Sequence, residues 1–191
     1  MNPCELAAAR RLLMLSAPEA ARWVAADAER PRGVEERTWN RWEAGKLPVP
    51  ANIEAAMLAL LAQRAALLER LAAPPVPVEL LAKNNSAGQI TGMGVAPAHG
   101  EPHLLLWYSD PEDHPDGPLQ ARIDASAKAA LFAAGQHHSP PGVRLVPFDG
   151  YEFARWRIRS GLEDTASARA IWAAEVHQVT ESGAAAGAGQ A

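Results

Sequence analysis

Two helix-start signals, at residues 2 and 16, constrain this chain most, because they leave room between them for only one short helix. In Asn2-Pro3-Cys4-Glu5 a capping side chain is followed by proline at the first helical position and by glutamate at the third. Ser16-Ala17-Pro18-Glu19 repeats the pattern as a second capping box. Leu6, Ala9 and Leu13 follow the first signal at helical spacing, so a helix is predicted from about Pro3 to Met14. The second signal opens a helix holding Ala20, Ala21, Trp23 and Val24, and so short a link forces the two helices to pack at a steep angle. Pro31 and Gly33 stop helix 2. A third helix is expected from near Val34 to Gly45, where glycine suits the position just past a helix end. Beyond the rigid connector Leu47-Pro48-Val49-Pro50, the residues Ile53, Met57, Leu60, Leu61, Leu67, Leu68 and Leu71 form the apolar stripe of a long fourth helix, from about Ala51 to Leu71. That stripe is longer than three short helices can cover.

The pattern changes near residue 73. Ala73-Pro74-Pro75-Val76-Pro77 reads as a semi-rigid linker, and the stretch from Ser86 to Gly100 is rich in Gly, Ala and Pro. The segments His103 to Tyr108 and Val143 to Phe148 read as buried strands, with a helical composition from Leu119 to Ala134 between them. Tyr151 to Gln178 reads as one or two helices, and the small-residue tail from Ser182 reads as disordered. The expected organisation is therefore residues 1–72 as one domain, 73–100 as linker, 101–180 as a second domain and 181–191 as a tail. Its fold class is mainly α with a small α+β part.

Charge follows the same division. Residues 1–72 carry ten Lys/Arg against nine Asp/Glu, and the remainder carries eight against thirteen, within a formal net charge of −4. The N-terminal part is thus slightly basic and the rest acidic, which argues against a basic coat over the whole surface. The N-terminus lacks the apolar run of a signal peptide, and charges interrupt the longest apolar stretches, so a cytoplasmic location without membrane association is expected.

Within helix 3, Glu36-Arg37-Thr38-Trp39-Asn40-Arg41-Trp42-Glu43-Ala44-Gly45 places two tryptophans three residues apart. At about 100° per residue, Trp39 and Trp42 share one face, and Arg37, Asn40, Arg41 and Ala44 take the opposite one. The tryptophans are then core, and the outer face is either merely solvated or able to read DNA. Arginine bonds guanine O6/N7 and asparagine bonds adenine N6/N7 in bidentate geometry. A third helix in a run of short capped helices also holds the place of a recognition helix.

With those residues in view, the N-terminal ~72 residues resemble the helix-turn-helix of Xre-type regulators, and more closely the YdiL-like family that includes anti-CRISPR-associated (Aca-type) repressors. The resemblance is carried by Glu5-Leu6, Arg10 to Leu15, Glu19-Ala20-Ala21, and Trp39-Asn40-Arg41-Trp42-Glu43-Ala44-Gly45 with Val49-Pro50 following. It implies a homodimeric transcriptional repressor that binds an inverted repeat of double-stranded DNA; the C-terminal α/β domain is expected to serve dimerisation. It assigns base reading to Arg37, Asn40 and Arg41. It pairs Glu43 with Arg10 in a structural role, beside Trp39 and Trp42. Phosphate contacts are expected at Ser16 and Ala17, where helix 2 presents backbone N–H groups, and at Arg32, Thr38 and Lys46. This chain departs from the family in a longer segment between helices 2 and 3, Ala26 to Val34, followed by the acidic pair Glu35-Glu36, and in a C-terminal part longer than compact family members carry.

Other chemistry finds little support in the residues. Cys4 is the only cysteine, so an internal disulfide and a multi-cysteine metal site are excluded. The glycine-rich run Ala87 to Gly94 lacks the Gly-Lys-Ser/Thr end of a phosphate-binding loop. His99, His103, His114, His137 and His138 show no metal-ligand spacing with carboxylates. Asp110, Glu112, Asp113 and Asp116 read as a solvated acidic turn, and Arg155, Arg157 and Arg159 as an exposed or ion-paired face. No nucleophile elbow is visible, so neither an enzyme nor a cofactor is expected. The competing reading is an antitoxin-like protein whose C-terminal domain binds a partner protein, with DNA binding for autoregulation only; RNA binding by the same basic face is a further alternative.

Overall fold

The computed structural model describes residues 1–72, 103–135 and 142–176. The expected linker over 73–100 and the tail over 181–191 lie outside the described residues. Over the described residues the fold is mainly helical with one small two-stranded sheet. The chain divides into two compact units, Met1–Ala72 with Asp110–Ala130, and Ala73–Ser109 with Leu131–Ala191.

Both capping boxes form. The Asn2 side chain accepts the Glu5 N–H at 2.9 Å while the Glu5 carboxylate accepts the Asn2 N–H at 2.7 Å, opening α1 (Pro3–Leu12). The end of α1 is a tight reversal in which Leu15 N–H reaches the Arg10 carbonyl and Met14 N–H the Arg11 carbonyl. Met14 takes the left-handed conformation this requires, at φ 57°. Ser16 then caps α2 (Ala17–Glu19), which runs directly into a π-helical stretch, Ala20–Val24. Next come α3 (Glu36–Glu43) and α4 (Ala51–Ala72). By length and composition alone α4 is apolar enough to cross a membrane, with a mean hydropathy of 1.3. Its Ile53, Met57, Leu60 and Leu67 are buried in the same core as Leu6, Leu13, Trp39 and Trp42.

The segment between the second and third helices is held by its own bonds. Asp27 accepts the N–H groups of Glu29 and Arg30 at 3.0 and 2.7 Å. Val34 N–H returns to the Ala21 carbonyl at 2.9 Å, pinning the loop to the π-helical stretch. Gly33 passes so close that a Cβ there would lie 2.1 Å from the Ala21 carbonyl oxygen, and its φ of +72° also favours glycine. The inserted loop, long as it is, is folded back on helix 2.

The first unit also takes in residues that the linker-based reading assigned to a C-terminal domain. In α5 (Pro118–Gly135), Ile123 and Ala127 join the core of α1 to α4. Arg122 pairs with Glu19 at 2.7 Å. The Ser126 hydroxyl donates to the Leu12 carbonyl at 2.7 Å and accepts from Arg64 Nε at 2.5 Å. An ion pair between Asp124 and Lys128 lies buried on the same helix. The N-terminal unit is therefore completed from a distant part of the chain.

The second unit holds β1 (His103–Trp107) and β2 (Val143–Pro147), paired in parallel with Leu105 opposite Leu145. It continues with α6 (Gly150–Ser160) and α7, residues 166–176. Its core gathers Phe148, Phe153, Ala168 and Trp172. The guanidinium of Arg169 lies 4.7 Å from the Phe148 ring centroid and is held by both Asp164 carboxylate oxygens at 2.7 and 2.9 Å. Arg155, Arg157 and Arg159 all fall on α6, where Arg155 pairs with Glu152.

Candidate nucleic-acid interface

The site is built on α3, whose two faces have opposite tasks. On the inner face Trp39 is fully buried and Trp42 nearly so, their rings edge to face with centroids 5.7 Å apart. Glu43 closes that face one turn beyond Trp39 and accepts the Trp39 indole N–H at 2.6 Å. Arg10 then grips the same carboxylate with two N–H groups, Nε at 2.6 Å and Nη2 at 3.0 Å, while its Nη1 donates to the Leu15 carbonyl at 2.8 Å. This bidentate fork fixes α3 against the end of α1, with geometry that a lysine could not reproduce.

Electrostatics agree with that geometry. Burial alone would push the Glu43 carboxyl up, but the bonds from Arg10 and Trp39 and the charges of Arg10 and Arg11 outweigh it and hold the group below the usual carboxylate range. Glu19 is shifted in the same direction. Its burial is offset by the Ser16 N–H and hydroxyl and by Arg122.

The outer face of α3 carries Glu36, Arg37, Asn40, Arg41 and Ala44 which, with Lys46 just past the helix, line one open groove. Gly45, at φ +69°, ends the helix and lets the Lys46 N–H return to the Arg41 carbonyl at 2.9 Å. That turn places Lys46 beside the helix rather than beyond it. Among the described residues, none gives the side chains of Arg37, Asn40, Arg41 or Lys46 a hydrogen bond or ion pair. Three cations and an amide therefore stand together at the surface with their donors uncommitted.

The sequence-predicted residues thus fall into three groups. Arg37, Asn40, Arg41 and Lys46 share the groove, and Arg10, Trp39, Trp42 and Glu43 form the anchor behind it. Ser16, Ala17, Thr38 and Arg32 are not part of the groove lining. Thr38 is half-buried on α3, and Arg32 is exposed in the loop. Ser16 is engaged at its own cap, where its N–H and its hydroxyl each lie 2.7 Å from Glu19 Oε2. Two contributors were not among the predicted site residues. Glu36, which reads in the sequence only as half of an acidic pair, lines the groove. Arg122 ties down Glu19 from more than a hundred positions away.

No candidate metal centre is present among the described residues. Short capped helices thus surround a tryptophan-anchored third helix whose outer cations are uncommitted among the described residues. The chain belongs to the Aca2/YdiL-like family, whose model matches residues 1–139. That match runs past α4 and takes in the 110–130 segment that completes the N-terminal unit. The family is one of regulators rather than enzymes. No curated protein matches the chain significantly.

Proposed function

We propose that the protein is a sequence-specific, double-stranded DNA-binding repressor that acts as a homodimer on an inverted repeat. The observation that carries the reading is the outer face of α3, where Arg37, Asn40 and Arg41 are exposed and, among the described residues, without hydrogen-bond or ion-pair partners, on a helix fixed from behind by Arg10, Trp39, Trp42 and Glu43. The anchored helix fixes the backbone from which these donors reach, and no existing bond to them has to break before they meet base edges, so what binding must order is the side chains alone.

Two recognition helices set ~34–36 Å apart by a dimer would enter successive major grooves on one side of the duplex. Arg37 and Arg41 would read guanine, and Asn40 adenine. Lys46 would hold a phosphate and fix the register of the helix in the groove. Arg32 and Thr38 are further phosphate contacts in this reading, with the Ser16 and Ala17 end of α2 the weakest because the Glu19 carboxylate sits there. Repression follows by occlusion, as the bound dimer covers a promoter.

The test is sequencing of genomic DNA fragments retained by the purified full chain. Enrichment of one inverted repeat is the expected result. Retention without sequence preference, vanishing as salt rises, would contradict the reading, since phosphate contacts alone are salt-sensitive and carry no sequence.

A further inference from the structure

We propose that Glu36 is a fourth base-reading side chain, accepting a hydrogen bond from the N4 amino group of a cytosine in the major groove. The inference rests on the reading of α3 as the DNA-reading helix and deepens it. Glu36 is the first residue of α3, exposed, and part of the same groove lining as Arg37, Asn40 and Arg41. The N-terminal residues of a recognition helix are the ones that contact base edges.

Glu36 differs from the other helix-start acids of this unit. Glu5 and Glu19 each fold back and accept the N–H of the capping residue. Neither Glu35 nor Glu36 caps α3 in that way, and among the described residues the Glu36 carboxylate has no ion pair or hydrogen bond, despite the cations of its own groove. A carboxylate left unpaired on a face meant for phosphate-rich DNA is repulsive unless it meets a donor.

The major groove offers two base donors, cytosine N4 and adenine N6. Adenine places its N7 acceptor next to N6, and a carboxylate, which only accepts, is repelled there. Cytosine has no acceptor on that edge. The guanine paired with it presents O6 and N7, which Arg37 or Arg41 can take. One C·G pair is then read from both bases, and the arginines offset the charge of Glu36.

The experiment selects binding sites from a random duplex pool with the full chain as wild type, Glu36→Ala and Glu36→Gln. The wild type is expected to demand cytosine at one position of each half-site. Glu36→Ala should lose that preference by roughly five- to thirty-fold, with the other positions unchanged. Glu36→Gln should shift the preference toward adenine, which an amide can bond at both N6 and N7. As a second measurement, a site whose cytosine lacks the N4 amino group should bind wild type more weakly by a similar factor and leave Glu36→Ala unaffected. Three identical site profiles would overturn the proposal while leaving α3 as the reading helix. A wild type that selects no sequence would overturn both.

Discussion

Removing the Glu43 carboxylate should cost the N-terminal unit more than removing any other charged side chain of α3. Glu43→Ala strands three donors, Arg10 Nε and Nη2 and the Trp39 indole N–H, at a place where the Arg10 and Glu43 side chains are 14% and 13% exposed. Taking one partner from a largely buried pair costs ~3–5 kcal/mol, because the other charge is left without compensation. Against a domain stability of ~5–15 kcal/mol, that is a large share. At ~4–8 °C per kcal/mol for a domain of this size, the midpoint should fall by about 12 °C or more. Thermal unfolding followed by circular dichroism reads this directly. Arg10→Met combined with Glu43→Leu removes both charges and should recover more than half of the loss. The pH dependence has a definite sign. The folded Glu43 carboxyl lies below its ordinary value of 4.5, so its contribution is complete above that pH and is lost as the pH falls further. The gap between wild type and Glu43→Ala should therefore narrow below pH ~4.5. A Glu43→Ala protein melting within a few degrees of wild type at pH 7, or a double variant no better than the single one, would refute the anchoring role.

Other changes separate stability from recognition. Gly33→Ala places a methyl against the Ala21 carbonyl at a left-handed φ, and strain alone should cost ~1–3 kcal/mol in the same melting assay. Arg41→Ala removes no side-chain hydrogen bond or ion pair among the described residues and should leave the melting midpoint unchanged, while binding weakens by ~1–3 kcal/mol and specificity relaxes at one base position in competition titrations. Lys46→Ala should weaken binding to every sequence alike and reduce the slope of log affinity against log salt by about 1.

The helices of the first unit were legible in the sequence where their signals are local. The caps at Asn2 and Ser16, the glycine at Gly45 and the Trp39–Trp42 spacing each act within a few residues of themselves, and each forms as expected. The link from Arg10 to Glu43 spans 33 positions and was reached only through the family resemblance. What local signals could not carry was the return of residues 110–130 to the first unit. The bonds that hold them there join Arg122 to Glu19 and Ser126 to Leu12, and Pro/Gly-rich composition near residue 73 marks a break in regular structure without saying which side later residues rejoin. Asp124 and Lys128, an i,i+4 pair on α5, are buried as well, and nothing local marks that burial in the sequence. In the site, Arg37, Asn40 and Arg41 followed from the helical wheel, whereas Glu36 reads as part of an acidic pair that departs from the family, because a helix-start acid has a sufficient local explanation.

The claim that α3 reads DNA is tested most directly by a triple variant, Arg37→Ala with Asn40→Ala and Arg41→Ala, compared with wild type in sequenced genomic pull-downs at two salt concentrations. These three side chains have no partners among the described residues, so the variant should melt as wild type does. The account predicts that wild type enriches one inverted repeat at both salts and that the variant, equally folded, enriches none. A folded triple variant that still enriches the same repeat would contradict it.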